Sequence, residues 1–286
     1  MTGLFDISVE TASKLCPEYK FIKRLAKSAQ KAAFHVQDAS GLDLCLKIIA
    51  PNASLERVQR EIEALDSLDH PNIVKLHYYE ISISEKGFRH FAVEEFIDGC
   101  DLSDVLKPGK PWALDDAASL LKSIASGLHA LGSARIVHRD LKPSNIRVRP
   151  NSQPVIVDLG VARLLDRADL TLTSMGARIG TTLYFAPEQF EGRREDIDPR
   201  TDLFALGVIA HEVLLGRHPF YEKGISIDDL REKVCRSSDF VDSADFKALP
   251  PRWRLVVQRL LEKQRVRRPK DASLVCQLID LAAGDK

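Results

Sequence analysis

The densest chemistry in this chain is the string His138-Arg139-Asp140-Leu141-Lys142-Pro143-Ser144-Asn145, which sets a carboxylate, an ammonium and a carboxamide side by side. Asp158-Leu159-Gly160 follows the apolar run Val155 to Val157 and adds a second carboxylate. Lys47 ends the run Leu44-Cys45-Leu46-Lys47, and a carboxylate follows it in Arg60-Glu61-Ile62. Asp158 and Asn145 offer the hard oxygens that Mg²⁺ combines with water and anionic oxygens. Asp140 is of a type that can orient a hydroxyl and accept its proton, help typically worth about 10²–10⁴-fold. Taken singly, each fragment also reads as something plainer: a charged surface loop, a strand-to-turn exit, a solvated lysine at a strand end. The five fixed residues of the first string and the order of the others carry the argument.

Taken together, these strings resemble the catalytic domain of eukaryotic-type Ser/Thr protein kinases. His138 to Asn145 fits the catalytic loop H-R-D-L-x-x-x-N, Asp158-Leu159-Gly160 is similar to D-F-G with Leu for Phe, and Leu44 to Lys47 to V-A-I-K. His70-Pro71-Asn72-Ile73-Val74 follows as in many kinases. Gly180-Thr181 and Ala186-Pro187-Glu188 match the end of the activation segment, Asp202 opens an apolar helix, and His218-Pro219-Phe220 and Arg268-Pro269 sit where the family places them. The resemblance spans about residues 19–280, and Ala186-Pro187-Glu188-Gln189 has the flavour of bacterial members.

The resemblance implies a set of roles. Asp140 is the catalytic base, Lys142 neutralises charge near the transferring phosphate, and Asn145 and Asp158 hold Mg²⁺, with Mn²⁺ as the alternative metal. Lys47 holds the α- and β-phosphates of ATP and pairs with Glu61, while Glu95 lies at the hinge that contacts the nucleotide. Arg268 salt-bridges Glu188, and Leu65, Leu76, Leu159 and His138 form a stacked apolar spine. Lys142-Pro143-Ser144-Asn145 and Thr181 look like the Ser/Thr type, so the implied substrate is a protein hydroxyl. Arg139 and Arg163 imply a phosphate on the activation loop, for which Thr171, Thr173 and Ser174 are the self-phosphorylation candidates. A solvated, hydroxyl-rich loop is the competing reading there.

Two departures stand out. The glycine-rich loop G-x-G-x-x-G falls on Ala26, Ser28 and Lys31, none of them glycine. Left-handed backbone costs non-glycine residues roughly 1–2 kcal/mol each, so the loop is expected to take another shape and to bind ATP more weakly, with Lys27 or Lys31 adding charge. Glu94 takes the gatekeeper position just before Glu95, where the family usually has an apolar residue or Thr. A pseudokinase, a scaffold with the same fold, is the alternative. A small-molecule phosphotransferase is the third reading, opposed by Ala186-Pro187-Glu188 and Arg268.

The elements that must position these residues divide at about 95–100. Residues 1–18 read as a short leader. Residues 19–97 read as a small antiparallel sheet plus one helix: strands at Phe21-Ile22, Phe34 to Val36, Leu44 to Ile49, Ile73 to Ile83 and Phe88 to Ile97, with helical periodicity over 54–68. Residues 98–286 read as mainly helical, with helices at 114–131, 201–216, 227–236, 251–263 and 271–283 and short strands near Ile136-Val137, Ile146 to Val148 and Val155 to Val157. This is an α+β, bilobal, protein-kinase-like fold, and ligands favour clefts between such lobes.

Bulk properties limit the alternatives. The chain has 286 residues, 44% hydrophobic, with 41 basic and 41 acidic side chains, so a nucleic-acid wrapper is not indicated. Five cysteines with no CxxC pair suggest neither a zinc cage nor a disulfide framework. No secretory signal or bilayer-length apolar run is seen, so the expectation is a cytoplasmic chain with no membrane segment.

Overall fold

The computed structural model describes residues 6–27, 31–49, 65, 68–84, 87–159 and 182–284. They form two compact units, and the chain passes from the first to the second between Ile97 and Asp98.

The first unit is a five-stranded antiparallel sheet of order β1-β2-β3-β5-β4, preceded by a short helix. The helix is α1 (Val9–Leu15), and the strands are β1 (Lys20–Lys27), β2 (Lys31–Gln37), β3 (Asp43–Ile49), β4 (Leu76–Ser84) and β5 (Gly87–Glu95). The two-residue period of strands sorts its side chains. Across β2, β3 and β5, Phe34 lies opposite Leu46 and Leu46 opposite Val93, and this row belongs to the apolar core. The alternate rows are Ala33–Lys47–Ala92 and His35–Cys45–Glu94, on the other face.

Residues 6–18, part of the stretch read as a leader, fold onto the apolar face. Ser8 caps α1 by accepting the Thr11 N–H. Ile7, Ala12 and Cys16 are buried in one cluster with Phe34, Leu46, Ile48 and Phe91. Burial pushes the Cys16 thiol up to about 11, so it behaves as a small apolar side chain.

The second unit is mainly helical. A three-stranded sheet of β6 (Cys100–Asp101), β7 (Ile146–Val148) and β8 (Pro154–Ile156) accompanies α2 (Leu102–Val105), α3 (Leu114–Ser133), α4 (Pro187–Phe190), α5 (Pro199–Leu215), α6 (Ile227–Arg236), α7 (Ala244–Ala248), α8 (Pro251–Leu260) and α9 (Ala272–Ala283). Helix α5 is buried along almost its whole length and packs on α3 and α8. At Gly207 a Cβ would come within 2.7 Å of Leu260 Cβ, so α5 and α8 can approach only over glycine. Asp198 caps the start of α5 and Gly216, at φ 67°, ends it.

Several boundaries differ from the sequence reading. Strand β4 starts at Leu76, because Ile73 instead bridges Ile156 and Asn72 anchors to Pro154 O, drawing 71–73 into the second unit. Ile136-Val137 is not a strand: the third strand beside β7 is Cys100–Asp101. Helix α5 begins at Pro199, with Asp202 inside its first turn. The helix expected over 54–68 lies outside the described residues except for Leu65 and Leu68, and Leu65 is helical. Among the described residues no helix is long and apolar enough to cross a membrane.

Candidate active site

In the sheet unit, strand alternation turns Lys47 and Glu94 to the same face. Lys47 Nζ donates to Glu94 Oε2 at 2.5 Å, and the two side chains are only 9% and 7% exposed. In the sequence Glu94 lies just before the hinge residue Glu95, and nothing there points to an ion pair with Lys47. Glu61 lies outside the described residues, as does Ser28. Ala26 sits on β1, exposed and opposite Ala33, and Lys31 opens β2. Neither adopts positive φ, so at these two positions the backbone lacks the left-handed turn that glycine supplies. Glu95 ends β5, and its N–H donates to Lys75 O at 2.8 Å.

In the second unit the loop from His138 to Asn145 is held from below by α5. Asp202 accepts the backbone N–H of His138 at 2.7 Å and of Arg139 at 2.8 Å. Burial raises its carboxyl above the usual range, partly offset by those bonds and by His138. Arg139 sits at φ 65°, and Gln189 Nε2 donates to its carbonyl. His138 is orientated at both nitrogens: Nδ1 accepts from Asp140 N–H and Nε2–H donates to Val157 O.

Two candidate side chains converge on Asp140. Lys142 Nζ lies 3.0 Å from Asp140 Oδ2. Asn145 Nδ2 donates to Asp140 O at 2.8 Å and to Oδ2 at 3.3 Å. With its nitrogen so committed, Asn145 has its amide oxygen left as the acceptor atom of the side chain. Asn145 O also accepts the Val157 N–H, which brings the segment ending at Asp158 alongside. Asp158 has φ 64°, an unusual backbone for a non-glycine residue and a mark of functional turns. One carboxylate and one amide oxygen suit Mg²⁺, which keeps several waters and takes phosphate oxygens for the rest. Mg²⁺ is also what phosphoryl transfer requires.

Glu188 and Arg268, 80 residues apart, form two parallel bonds of 2.7 and 2.8 Å, and Thr201 Oγ1 donates to the same carboxylate. Burial pushes the Glu188 carboxyl up, yet the Arg268 bonds and charge outweigh it and hold it below its ordinary value. A contact not anticipated is Tyr184 Oη donating to Glu212 Oε2 at 2.8 Å. Burial pushes the Glu212 carboxyl up to about 7. Leu65, Leu76, Leu159 and His138 are all buried. Arg163, Thr171, Thr173, Ser174, Gly180 and Thr181 lie outside the described residues.

Comparison with known proteins agrees with this architecture. The protein kinase domain family matches residues 32–278. The serine/threonine-protein kinase pkn2 of Myxococcus xanthus is 34% identical over 226 residues, covering 76% of this chain and 26% of pkn2. Pkn1 of the same organism is 35% identical over 221 residues, covering 74% of this chain and 31% of Pkn1. PknA of Mycobacterium tuberculosis is 36% identical over 171 residues, covering 59% and 39%. The aligned part is thus about a quarter to two fifths of each relative's length. The chain belongs to the protein kinase domain family, and its catalytic domain is of the bacterial type.

Proposed function

We propose that this domain is an active Ser/Thr protein kinase that moves the γ-phosphate of ATP to a serine or threonine hydroxyl of a protein, in the cytoplasm. The observation that carries the reading is the joint engagement of Asp140 by Lys142 and Asn145. The names of the bacterial relatives support the Ser/Thr assignment.

Asp140 accepts the proton of the substrate hydroxyl as that oxygen bonds to phosphorus and the bond to the leaving ADP oxygen breaks. Lys142, bonded to the same carboxylate, offers positive charge to the transferring group. Asn145 and Asp158 would hold Mg²⁺, or Mn²⁺ in its place, whose charge would offset that of the phosphates. Lys47 and, through the family pattern, Glu61 anchor the phosphates. Glu95 contacts the base, and Ala26, Ser28 and Lys31 cover the phosphates without glycine. The Glu188–Arg268 pair supports the lobe that binds protein substrates and weighs against a metabolite kinase.

Purified chain incubated with Mg-ATP and a generic protein substrate is expected to transfer phosphate, and Asp140→Ala and Lys47→Ala to abolish transfer. Mass spectrometry is expected to find self-phosphorylation within 166–182, at Thr171, Thr173 or Ser174. The scaffold alternative draws on the absence of glycine at Ala26, Ser28 and Lys31. Nucleotide-independent partner binding, with no transfer under Mg²⁺ or Mn²⁺, would establish it instead.

A further inference from the structure

The Lys47–Glu94 pair bears on the reaction just proposed, and the inference rests on that reading. We infer that Glu94 competes with nucleotide phosphate for Lys47, so that this domain discriminates against phosphate charge in its own nucleotide site.

The ammonium and carboxylate meet at 2.5 Å in a nearly solvent-free place. Such a pair is neutral as a unit, and its attraction offsets part of the cost of desolvating both charges. Among the described residues Lys47 is the hydrogen-bond partner of the Glu94 carboxylate. The row across the sheet through Glu94 is His35–Cys45–Glu94–Leu76, and none of these offers a replacement ammonium. His35 Nε2 is already engaged by Asp43 at 2.7 Å, and its ring stacks on Phe96.

A phosphate arriving at Lys47 therefore has two routes. Lys47 has three N–H donors and can keep Glu94 while bonding phosphate, which leaves two like charges separated by a single ammonium. Alternatively it leaves Glu94, which strands a buried carboxylate without its counter-charge. Both routes weaken phosphate binding, and neither touches an uncharged ligand. The effect therefore grows with the number of phosphate charges and is absent for adenosine. A neutral residue of the same size at position 94 would remove this competing charge from Lys47.

Calorimetric titration of the full chain with Mg-ATP, Mg-ADP and adenosine tests this, using wild type, Glu94→Gln and Glu94→Met. Glutamine keeps the shape and an oxygen to accept from Lys47, and methionine supplies a second, apolar replacement should the glutamine variant fold poorly. Both are expected to bind Mg-ATP about tenfold more tightly, ~1.4 kcal/mol, with a smaller gain for Mg-ADP and less than a twofold change for adenosine. Weaker or unchanged Mg-ATP affinity in the variants, or an equal gain for adenosine, overturns the inference. If wild type still binds nucleotide and transfers phosphate in that case, the kinase reading stands without it. No nucleotide binding by any of the three proteins would remove both.

Discussion

Asp202 in the first turn of α5 accepts the amide hydrogens of His138 and Arg139, so a buried helix fixes the entry to the loop that carries Asp140. The clamp holds Arg139 in a left-handed conformation that this residue type avoids. Asp202→Asn places an amide NH₂ where one of two acceptor oxygens stood, leaving one backbone N–H without a partner, at a cost of about 1–3 kcal/mol. The variant is expected to lose that much stability in urea denaturation. Phosphate transfer should fall at least about tenfold through kcat, with Mg-ATP affinity little changed, because the misplaced group is Asp140. Wild-type kcat in a folded Asp202→Asn protein would show that the clamp does not position the loop.

The Glu188–Arg268 pair is two-pronged and almost without solvent contact. Removing one partner strands the other charge, so Arg268→Ala and Glu188→Ala are each expected to cost about 3–5 kcal/mol. Arg268→Lys keeps the charge but loses the fork, and should fall between wild type and the alanine variant. Chemical denaturation of the three variants checks the order.

Much of this arrangement is legible in the sequence, for a physical reason. The Asp140, Lys142 and Asn145 contacts lie within one loop, so spacing alone brings the residues together. The pairing of Glu188 with Arg268 is legible only through family resemblance, since nothing local links two positions so far apart. The Lys47–Glu94 bond was missed because it depends on the register of β3 against β5, which periodicity within either strand does not state. Ile136-Val137 reads as a strand because it is apolar, but in the fold those residues lead into the amides claimed by Asp202. The packing of α1 was hidden by its shortness: within the helix only Ala12 is buried, too little to write an amphipathic period.

Helix α1 covers apolar strand surface, and Ala12 is its most enclosed residue. Ala12→Asp would bury a charge with no partner, which costs several kcal/mol unless the helix detaches. The expected outcome is a destabilised protein that binds a hydrophobic dye, since the face carrying Phe34 and Leu46 becomes open. Val9→Asp, on the exposed side of the same helix, is the control and should stay within about 0.5 kcal/mol of wild type. Equal stability of wild type and Ala12→Asp would show that α1 is dispensable to the sheet.

Glu212 supplies a pH signature of its burial, which the Tyr184 hydrogen bond partly offsets. Its folded carboxyl is lifted by burial from 4.5 to about 7, while Tyr184, also raised by burial, donates to it. Between those two pH values the folded protein holds a proton that the unfolded chain has released. This contribution is therefore fully present below about 4.5 and disappears as pH rises through about 7. His211 and His218, pushed down by burial to about 4, act in the opposite sense, contributing above 6.5 and losing it as pH falls. The two effects overlap in wild type, so the comparison must be with Glu212→Gln, which keeps the histidines and removes the carboxyl titration. Relative to that variant, wild type is expected to be most stable at the acid end and to lose up to about 3 kcal/mol on going to neutral pH. A wild-type-minus-variant stability difference that is flat across this range in parallel urea denaturations would show that burial does not hold Glu212 protonated.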